Sequence, residues 1–416
     1  MKETLLIARW GEIHLKGDNR GFFLKALKQN LEASTGAKVE IDNGRAFITD
    51  FKDLDTAMHA VANTFGVVSV SPVVRLDSVP EVILEYLKGL KVEGTFKVEV
   101  NRANKNFPNK SLGFAAMAGA VIEGAADMHN PQTVVSIDIR ESTYVYSRVL
   151  KGVGGLPVGT AGRGLVMLSG GIDSPAAAWL AAKRGLAIDY IHFASPPHTS
   201  EFALEKVRDL KGKLEKFVGS ARLYIVPFTE IQEAIRDKCA HEFMITIMRR
   251  FMVRIAERAA LNNKIDCIIT GENLSQVASQ TVAGIASGNV LARVLPILRP
   301  LVTYDKSEII DLARKIGTYE VSCRPHADCC TVFVPRHPST SPRLDKVEKE
   351  EAKLDVEGLI EAAVDGIKID CNEPIRKDLV LNYIDKKLAE SEKDVANGRV
   401  IDGEKFFKKM KRKYGF

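Results

Sequence analysis

Cysteine is missing from the first 238 residues of this 416-residue chain, and all six cysteines follow that point. Such an uneven scatter does not fit the disulfide framework of a small secreted domain. No apolar run approaches the roughly 20 residues that a membrane-spanning helix needs, and the apolar residues 5–8 are too few for a secretory signal. We therefore expect a cytoplasmic protein that makes no membrane contact.

Recognised metal-ligand spacings are missing as well. The chain has neither C-x-x-C nor a paired Cys/His knuckle, so Cys323, His326, Cys329 and Cys330 favour thiol chemistry over zinc or an iron–sulfur cluster. We predict no metal site. The sequence also lacks the G-x-x-x-x-G-K-[ST] phosphate loop. Its 45% hydrophobic and 27% charged residues indicate a globular protein, and its length predicts two or three domains.

The net charge of +6 is modest, but the first 163 positions hold ten basic residues of interest, several of which lie near glycines and predicted turns. Basic side chains on loops suit a phosphate backbone. A solvated basic face without a partner fits the charge equally well, so both interpretations stay open at this point. The residues concerned are Arg9, Lys16, Arg20, Arg45, Arg102, Lys105, Lys110, Arg140, Arg148 and Lys151.

An apolar run that ends in two glycines is the most informative stretch of the chain. Residues 165–168 are typical of a buried parallel strand. Gly170 and Gly171 let the backbone turn sharply and approach a ligand closely. Asp173 or Ser174 is expected to cap the helix that follows. The free N–H groups of its first turn would then face an anion.

The hexapeptide Ser169-Gly170-Gly171-Ile172-Asp173-Ser174 resembles the PP-loop of the ATP pyrophosphatases, which adenylate a substrate and release pyrophosphate. The resemblance implies ATP and Mg²⁺ as cofactors. It also implies that the two serines, the two glycines and Asp173 hold the pyrophosphate, with Asp173 counted among the catalytic residues. The alternative is an ordinary strand, turn and capped helix.

The remaining pattern predicts two small α+β units and one larger α/β unit. The first has strands at 3–8, 38–50 and 67–74 and helices at 20–34 and 53–64, as in a ferredoxin-like module. The second has helices at 79–89 and 111–128 and strands at 96–101, 133–139 and 143–150. From residue 164 strands alternate with helices, which predicts a doubly wound parallel sheet with its ligand at the carboxyl ends of the strands. The glycine-rich residues 151–159 are predicted to be a linker, because no helix follows them directly.

Several separate motifs resemble the tRNA 4-thiouridine synthetases, the ThiI family, over about residues 1–370. The resemblance implies four parts: a ferredoxin-like domain (1–58), a tRNA-holding THUMP domain (59–160), a PP-loop catalytic domain (161–371) and a helical appendage of unknown role (372–416). The motifs are Gly11-Glu12-Ile13-His14-Leu15-Lys16-Gly17-Asp18-Asn19-Arg20, Ile245-Thr246-Ile247-Met248-Arg249-Arg250, Thr270-Gly271-Glu272, Gln276-Val277-Ala278-Ser279-Gln280, Leu298-Arg299-Pro300-Leu301 and Asp328-Cys329-Cys330-Thr331-Val332-Phe333.

The resemblance implies an ATP-dependent exchange of the uridine O4 of tRNA for sulfur. Lys306, which begins a predicted helix, is expected to offset negative charge during adenylation, although an ordinary exposed lysine is the alternative. For His192 and Phe193, at the end of a predicted strand, a satisfied core pair is the alternative. The positions that match the ATP site are Met167, Leu168, His192, Phe193, Arg249, Gly271 and Gln280.

Cys330 is the predicted persulfide carrier, because the resemblance aligns the family's catalytic cysteine with the residue before Thr331. Its neighbour Cys329 is the rival, since the alignment is uncertain by one position. A reactive thiol must be accessible and partly ionised. Cys323 is a candidate for resolving the persulfide through a disulfide. Cys239 and Cys267 are expected to be buried bystanders.

We expect this chain to differ from many bacterial relatives in having no rhodanese domain, because the residues after 370 leave no room for one. Sulfur would then come from a cysteine desulfurase or from small-molecule sulfide, and the resemblance also suggests a role in thiamine synthesis. The resemblance is compatible with a homodimer that shares one tRNA. Two rival functions stay open: another PP-loop adenylating enzyme, such as an amidotransferase-like synthetase, and a non-catalytic tRNA-binding protein.

Overall fold

Two β-sheets organise the part of the chain that the computed structural model describes, which comprises residues 3–42, 44–277, 280–325, 333 and 339–370. The first sheet has nine strands and belongs to the N-terminal half. The second has six strands and belongs to the C-terminal half. None of the helices in these ranges is long and apolar enough to cross a bilayer.

The N-terminal half alternates strands with four α-helices and one 3₁₀ helix (Glu12–Asn19). Its elements are β1 (Glu3–Trp10), α1 (Arg20–Thr35), β2 (Lys38–Asp42), β3 (Arg45–Thr49), α2 (Leu54–Asn63), β4 (Val67–Asp77), α3 (Pro80–Lys88), β5 (Lys91–Arg102), α4 (Ser111–Val121), β6 (Glu123–Ala126), β7 (Thr133–Ile139), β8 (Ser142–Tyr146) and β9 (Leu150–Lys151).

Strand β4 joins the two predicted small units into one sheet. It pairs antiparallel with β1 on one side and with β8 and β9 on the other. The resulting strand order is β2-β3-β1-β4-β8-β7-β5-β6. The two units therefore share backbone hydrogen bonds rather than a flexible connection. Positions 58 and 59, where a boundary is predicted, both lie in α2, and the four-part division stays a prediction.

Three predicted elements of this half are wrong in extent. The strand expected at 38–50 is a hairpin of β2 and β3, because Gly44 takes φ +79° in the turn. The helix expected at 111–128 ends at Val121, and β6 follows it parallel to β5. Gly124 there takes φ +155°, which an α-helix cannot contain. The strand expected at 143–150 stops at Tyr146.

The C-terminal half has the predicted alternation of strands and helices. Its elements are β10 (Arg163–Met167), α5 (Asp173–Lys183), β11 (Ala187–Ala194), α6 (Glu201–Val218), β12 (Leu223–Pro227), α7 (Thr229–Lys238), α8 (Met244–Asn262), β13 (Cys267–Ile269), α9 (Val282–Asn289), β14 (Ile297–Leu298), α10 (Lys306–Ile316), α11 (Tyr319–Ser322), α12 (Leu344–Glu351), α13 (Val356–Asp365) and β15 (Lys368–Asp370).

The parallel sheet predicted for this half is confirmed. Its order is β14-β13-β10-β11-β12-β15, and only β15 runs antiparallel to its neighbour. Leu165 and Val166 of β10 enter two different buried clusters, one shared with α8 and the other with α5. Helices therefore cover both faces, which explains why the central strands are apolar throughout.

The glycine-rich residues 151–159 connect the halves but are packed against both. The Gly152 N–H donates to Val68 O (2.9 Å), and the Leu156 N–H donates to Lys183 O (3.0 Å). A Cβ on Gly155, which takes φ +79°, would lie 2.2 Å from Lys183 O. Close contact with the backbone of α5, rather than flexibility, is thus what glycine supplies there.

Aromatic and ionic contacts add to this connection. The Phe65 ring meets the Trp179 ring edge to face, with centroids 5.3 Å apart, and both rings contact Phe217. Arg184 at the end of α5 donates two hydrogen bonds, of 2.8 and 2.7 Å, to the carboxylate of Glu12. A paired guanidinium–carboxylate contact fixes orientation as well as distance.

Candidate active site

A cavity of about 370 Å³ opens at the carboxyl ends of β10, β11 and β13. Residues that follow parallel strands converge at this edge of a sheet. The sequence-predicted residues among its lining are Met167, Leu168, Ser169, Gly171, Asp173, Ser174, His192, Phe193, Arg249, Gly271 and Gln280. Gly170 belongs to the same turn but is not among the lining residues.

The two serines of the glycine turn hold the turn itself together. The Ser169 N–H donates to Ser174 Oγ at 2.9 Å, and the Gly171 N–H donates to Ser169 Oγ at 3.2 Å. The prediction that Asp173 or Ser174 caps α5 is therefore wrong. Ile172 occupies the N-cap position, and no side chain caps the helix there. The start of α5 is thus left for a ligand anion to approach.

Asp173 is the centre of a polar contact at the mouth of this turn. Its Oδ1 accepts from Lys306 Nζ at 2.6 Å, and its Oδ2 accepts from Gln276 Nε2 at 2.9 Å. Lys306 does not line the cavity, but this contact holds it at the end of the cavity where the glycine turn lies. The structure thus brings two of the three predicted catalytic residues together.

A capping box fixes the position of Lys306 as the first residue of α10. Asp305 accepts from the backbone N–H of Glu308, and the Glu308 side chain accepts from the backbone N–H of Asp305. Hydrogen bonds from Ser307 and from the Glu308 backbone hold the pKa of Asp305 below its usual range. The sequence Asp-Lys-Ser-Glu is a typical helix start.

Gly271 allows the loop after β13 to lie directly against α5. A Cβ at this position would lie 2.8 Å from the Ser174 nitrogen and 2.9 Å from the Asp173 carbonyl carbon. Any larger residue would push the loop away from the phosphate turn. Glycine is thus explained here by backbone packing beside the cavity.

Sequence reasoning missed an ion cluster on the cavity wall that is formed by the loop after β13. Glu272 accepts from Arg249 at 3.1 Å, from Arg299 at 2.7 Å and from Thr270 Oγ1 at 3.1 Å. Glu272 and Arg299 lie inside two of the family-like motifs, which is the signal that could have found them. Two guanidinium groups and one carboxylate leave this wall net positive, as a polyphosphate requires.

The remaining wall is largely apolar and carries one unpaired amide oxygen. His192 is buried, with Nδ1 2.9 Å from Leu168 O, and the Phe193 ring packs edge to face on Phe228. Gln280 is also buried, and its Oε1 has no hydrogen-bond partner within the described ranges. A buried unpaired acceptor is costly unless a ligand satisfies it.

The predicted persulfide carrier Cys330 and its rival Cys329 lie outside the described residues, as does His326. The chain on both sides of them is attached near the cavity. Ser322 Oγ donates to Gly171 O at 3.1 Å, and Thr281 Oγ1 donates to Thr340 O at 2.7 Å. Both ends of the cysteine-bearing segment are therefore held at this edge of the sheet.

The other cysteines of the described ranges differ in exposure. Burial raises the pKa of Cys239 and that of Cys267 to about 11. Both thiols are therefore protonated near neutral pH and poor nucleophiles. Cys323 is exposed, as a resolving thiol must be. No group of three or more potential metal ligands occurs within the described ranges.

The parallel sheet and the glycine turn with its cavity define an ATP pyrophosphatase-type domain of the PP-loop class. Three family models match the chain: the ThiI thiamine biosynthesis protein at residues 159–356, the ThiI ferredoxin-like domain at 5–71 and the THUMP domain at 76–148. No rhodanese model is among these matches.

Curated relatives and a solved structure agree with these models. The chain is 46% identical over 391 residues to a probable tRNA sulfurtransferase of Alkaliphilus metalliredigens (88% of this chain, 98% of the relative). It is 44% identical over 380 residues to that of Brevibacillus brevis (88% and 95%). A crystal structure of a 4-thiouridine synthetase in complex with RNA and bound ATP matches with a TM-score of 0.81 and 36% identity, covering 89% of this chain and 100% of that one. The chain belongs to the ThiI family.

Proposed function

We propose that this protein is a tRNA sulfurtransferase that converts a uridine of tRNA to 4-thiouridine at the expense of ATP. In the first step the uridine O4 attacks the α-phosphorus of ATP, and pyrophosphate leaves. In the second step a persulfide sulfur on Cys330 attacks C4, and the C4–O bond breaks with release of AMP. The observation that carries this proposal is the glycine turn, whose own serines hold it in shape by hydrogen bonds. In this ThiI-family chain the turn opens into a cavity large enough for a nucleotide.

The chemistry of the wall residues assigns them to parts of ATP. The backbone N–H groups at the start of α5, together with the Ser169–Ser174 turn, would receive the pyrophosphate. Arg249 would add positive charge toward the phosphates. The buried Oε1 of Gln280 would accept a hydrogen bond from the exocyclic amine of adenine, which satisfies its missing partner.

Asp173 and Lys306 are the groups that would meet the charged end of the nucleotide. Mg²⁺ would neutralise phosphate charge when bound, and it prefers one or two carboxylates with phosphate oxygens and water. Asp173 fits that requirement, because it is the carboxylate beside the glycine turn and its partners are one cation and one neutral amide, whereas the charge of Glu272 is already offset by two arginines. The ammonium group of Lys306, at 2.6 Å from Asp173, would stabilise the negative charge that develops on the α-phosphate.

The sulfur step needs a second thiol, because the product must leave Cys330. Once the terminal sulfur is bonded to C4, the thiolate of Cys323 would attack the Cys330 sulfur. The two cysteines then form a disulfide, the thiouridine leaves, and an external thiol restores the enzyme. The exposure of Cys323 supports this assignment. A cysteine desulfurase is the proposed sulfur donor, with inorganic sulfide as the alternative.

The N-terminal half would hold the tRNA in this scheme. Its basic residues, its THUMP match and the RNA-bound structural relative support that role. A homodimer in which one subunit holds a tRNA that reacts in the other is part of the proposal, as is action in the cytoplasm, where tRNA is processed. Crosslinking and light scattering with and without tRNA would test the dimer.

Sulfur supply to the thiazole of thiamine is a secondary proposal, supported by the description of the matching family model. The persulfide would then pass its sulfur to a carrier protein instead of uridine. Expression of this chain in a thiamine-requiring strain that lacks its own homologue tests the proposal. Growth without thiamine is expected, and failure to grow despite 4-thiouridine in the tRNA would contradict it.

Thiolation of unmodified tRNA with MgATP, a desulfurase and cysteine tests the main proposal directly. The near-ultraviolet absorbance of 4-thiouridine reports the product. We expect Cys330→Ser to abolish product while tRNA-dependent pyrophosphate release continues, with Cys329→Ser as the matched control. Near-normal thiolation by Cys330→Ser would exclude that residue as carrier. Absence of both product and pyrophosphate release in the wild-type protein would contradict the enzymatic function.

A further inference from the structure

Phe333 is the described residue that lies nearest in sequence to the two adjacent cysteines. It follows Cys330 by three residues, and it packs against two elements outside the ATP cavity. Its ring centroid is 5.0 Å from that of His198, in an edge-to-face arrangement, and the guanidinium carbon of Arg236 lies 5.3 Å from it. Edge-to-face and cation–π contacts both depend on the charge distribution of an aromatic ring, so an aliphatic side chain cannot replace Phe333 in them.

The two residues that contact Phe333 are themselves held in place. His198 Nε2 lies 2.8 Å from Glu233 Oε1. Since an ionised carboxylate only accepts, the imidazole donates through Nε2. Arg236 donates to both carboxylate oxygens of Asp237, at 2.7 and 3.2 Å. The Phe333 ring therefore packs against side chains whose orientation is already fixed by their own hydrogen bonds.

Glu233 and Arg236 lie three residues apart on α7 and therefore share a helix face. His198 lies on the loop after β11, and Thr229 Oγ1 of α7 donates to Pro196 O of that loop at 2.8 Å. The same β11 delivers His192 and Phe193 to the ATP cavity. One β11–α7 unit therefore carries both a wall of the cavity and the contacts of Phe333.

We propose that His198, Glu233 and Arg236 form a clamp for Phe333 that positions the Cys330 persulfide for attack on the activated uridine. None of the three is a catalytic residue, because they act through the chain that joins Phe333 to Cys330. The clamp would serve sulfur transfer alone, since its contacts lie outside the residues that line the nucleotide cavity. This inference rests on the proposed function.

The decisive measurement compares persulfide-dependent thiolation with tRNA-dependent pyrophosphate release in the full-length protein. Phe333→Ala is expected to lower the single-turnover rate of thiolation by about 10- to 100-fold, because misplacement of a reacting group costs that much. Pyrophosphate release should stay within about twofold of wild type, since adenylation precedes the step concerned. Arg314→Ala is the matched control, because it removes another arginine–aromatic contact, with Tyr319, and should change neither rate.

Substitutions that keep or remove the ring separate a clamp from a simple apolar anchor. Phe333→Tyr should retain thiolation, whereas Phe333→Leu, which keeps the apolar volume but not the ring, should fall toward Phe333→Ala. His198→Ala and Arg236→Ala should each slow thiolation in the wild-type background. Neither should slow it further in Phe333→Ala, because the shared partner is already gone.

Three results would overturn the clamp. They are a Phe333→Leu rate equal to wild type, a parallel loss of pyrophosphate release and thiolation in Phe333→Ala, and additive losses in the double variants. Circular dichroism of each variant checks that it folds. Failure of the proposed function is distinguished at once, because the wild-type protein would then form no 4-thiouridine before any variant is compared.

Discussion

Two neighbouring arginines of α8, Arg249 and Arg250, belong to two different ion clusters. The clusters contain the same types of hydrogen-bonded side chain but differ in their exposure to the cavity. In each cluster one glutamate accepts hydrogen bonds from two arginines. Glu272 joins Arg249 to Arg299 on the cavity wall. The second cluster is sealed inside the protein, where Arg250 is 1% and Glu351 4% exposed. The comparison shows that composition does not distinguish a ligand-facing cluster from a structural one.

The buried cluster joins three helices. Arg250 of α8 donates to Glu351 of α12 at 2.8 Å and to the backbone oxygen of Ser287 in α9 at 2.7 Å. Arg254 donates to the same carboxylate. Burial alone would raise the pKa of Glu351, but the two guanidinium groups outweigh that effect and hold this pKa below its usual range. The fixed α9 in turn supplies Gly284 and Gly288 to the cavity wall.

The largest expected effect is the loss of stability when the buried cluster is broken. Glu351→Gln keeps the shape but leaves the buried Arg250 with only the exposed Glu348, at 3.9 Å, as a counter-ion among the described residues, which should cost about 3–5 kcal/mol of unfolding free energy. Glu272→Gln, its counterpart on the cavity wall, should cost clearly less. Urea denaturation of both variants measures the difference, and equal losses would contradict the division into two kinds of cluster.

Acidification should weaken the buried cluster in a defined direction. The pKa of Glu351 is lower in the folded than in the unfolded state, whose value is near 4.5. Its contribution is therefore fully present above that pH and lost as the pH falls through the folded-state pKa. The stability gap between wild type and Glu351→Gln should stay constant from neutral pH downward and shrink below about 4.5. A gap that grows on acidification would reverse the sign of the argument.

A smaller energy is expected for the cavity-facing arginine. Arg249→Ala should weaken ATP binding about tenfold, or about 1.4 kcal/mol, through the loss of one charged contact. The midpoint of urea denaturation should barely change, because Arg249 is not sealed in the core. Calorimetric titration with ATP measures the affinity. Unchanged ATP binding together with a large loss of stability would make Arg249 structural.

The smallest effect on stability is expected for an exposed ion pair, which serves as the solvent-exposed reference for the two clusters. Lys28 and Glu32 of α1 lie 3.8 Å apart on the surface. Glu32→Gln should change the unfolding free energy by less than about 0.5 kcal/mol, since solvent screens such pairs. The same denaturation experiment measures it. A loss as large as that of Glu351→Gln would show that burial is not what separates these pairs.

The parts of the fold that follow from local chemistry were predictable. The central strands β10 and β11, the glycine turn and the capping box of α10 all depend on residues close in sequence. The family-like motifs also predicted most of the cavity lining. Asp173 shows the limit of local rules, because its side chain bonds Lys306 and Gln276, more than 100 residues away in sequence, instead of capping α5.

Elements that are short or complete a sheet at its edge were not predictable. Strand β15 has three residues and pairs with β12 across more than 140 positions of sequence. Helix α9 contains glycines and has no amphipathic pattern from which a helix could be predicted. It begins where Thr281 caps it, accepting from the Gly284 N–H. Such elements form because neighbouring elements already offer them partners.

The sequence by itself determined that this chain has a PP-loop, a parallel sheet around it and a set of ThiI motifs. The strand and turn of the PP-loop and the parallel sheet follow from local spacing and apolar periodicity, and the motifs follow from their resemblance to the family. Only the tertiary structure decided that Arg249 lines the cavity at the edge of the sheet and that Arg250 is buried in the core. The two side chains point in directions that differ by about 100° around the axis of α8. Glu351, which accepts hydrogen bonds from Arg250, lies 101 positions later in the chain. Contacts at that separation depend on how helices pack, and no local pattern encodes them.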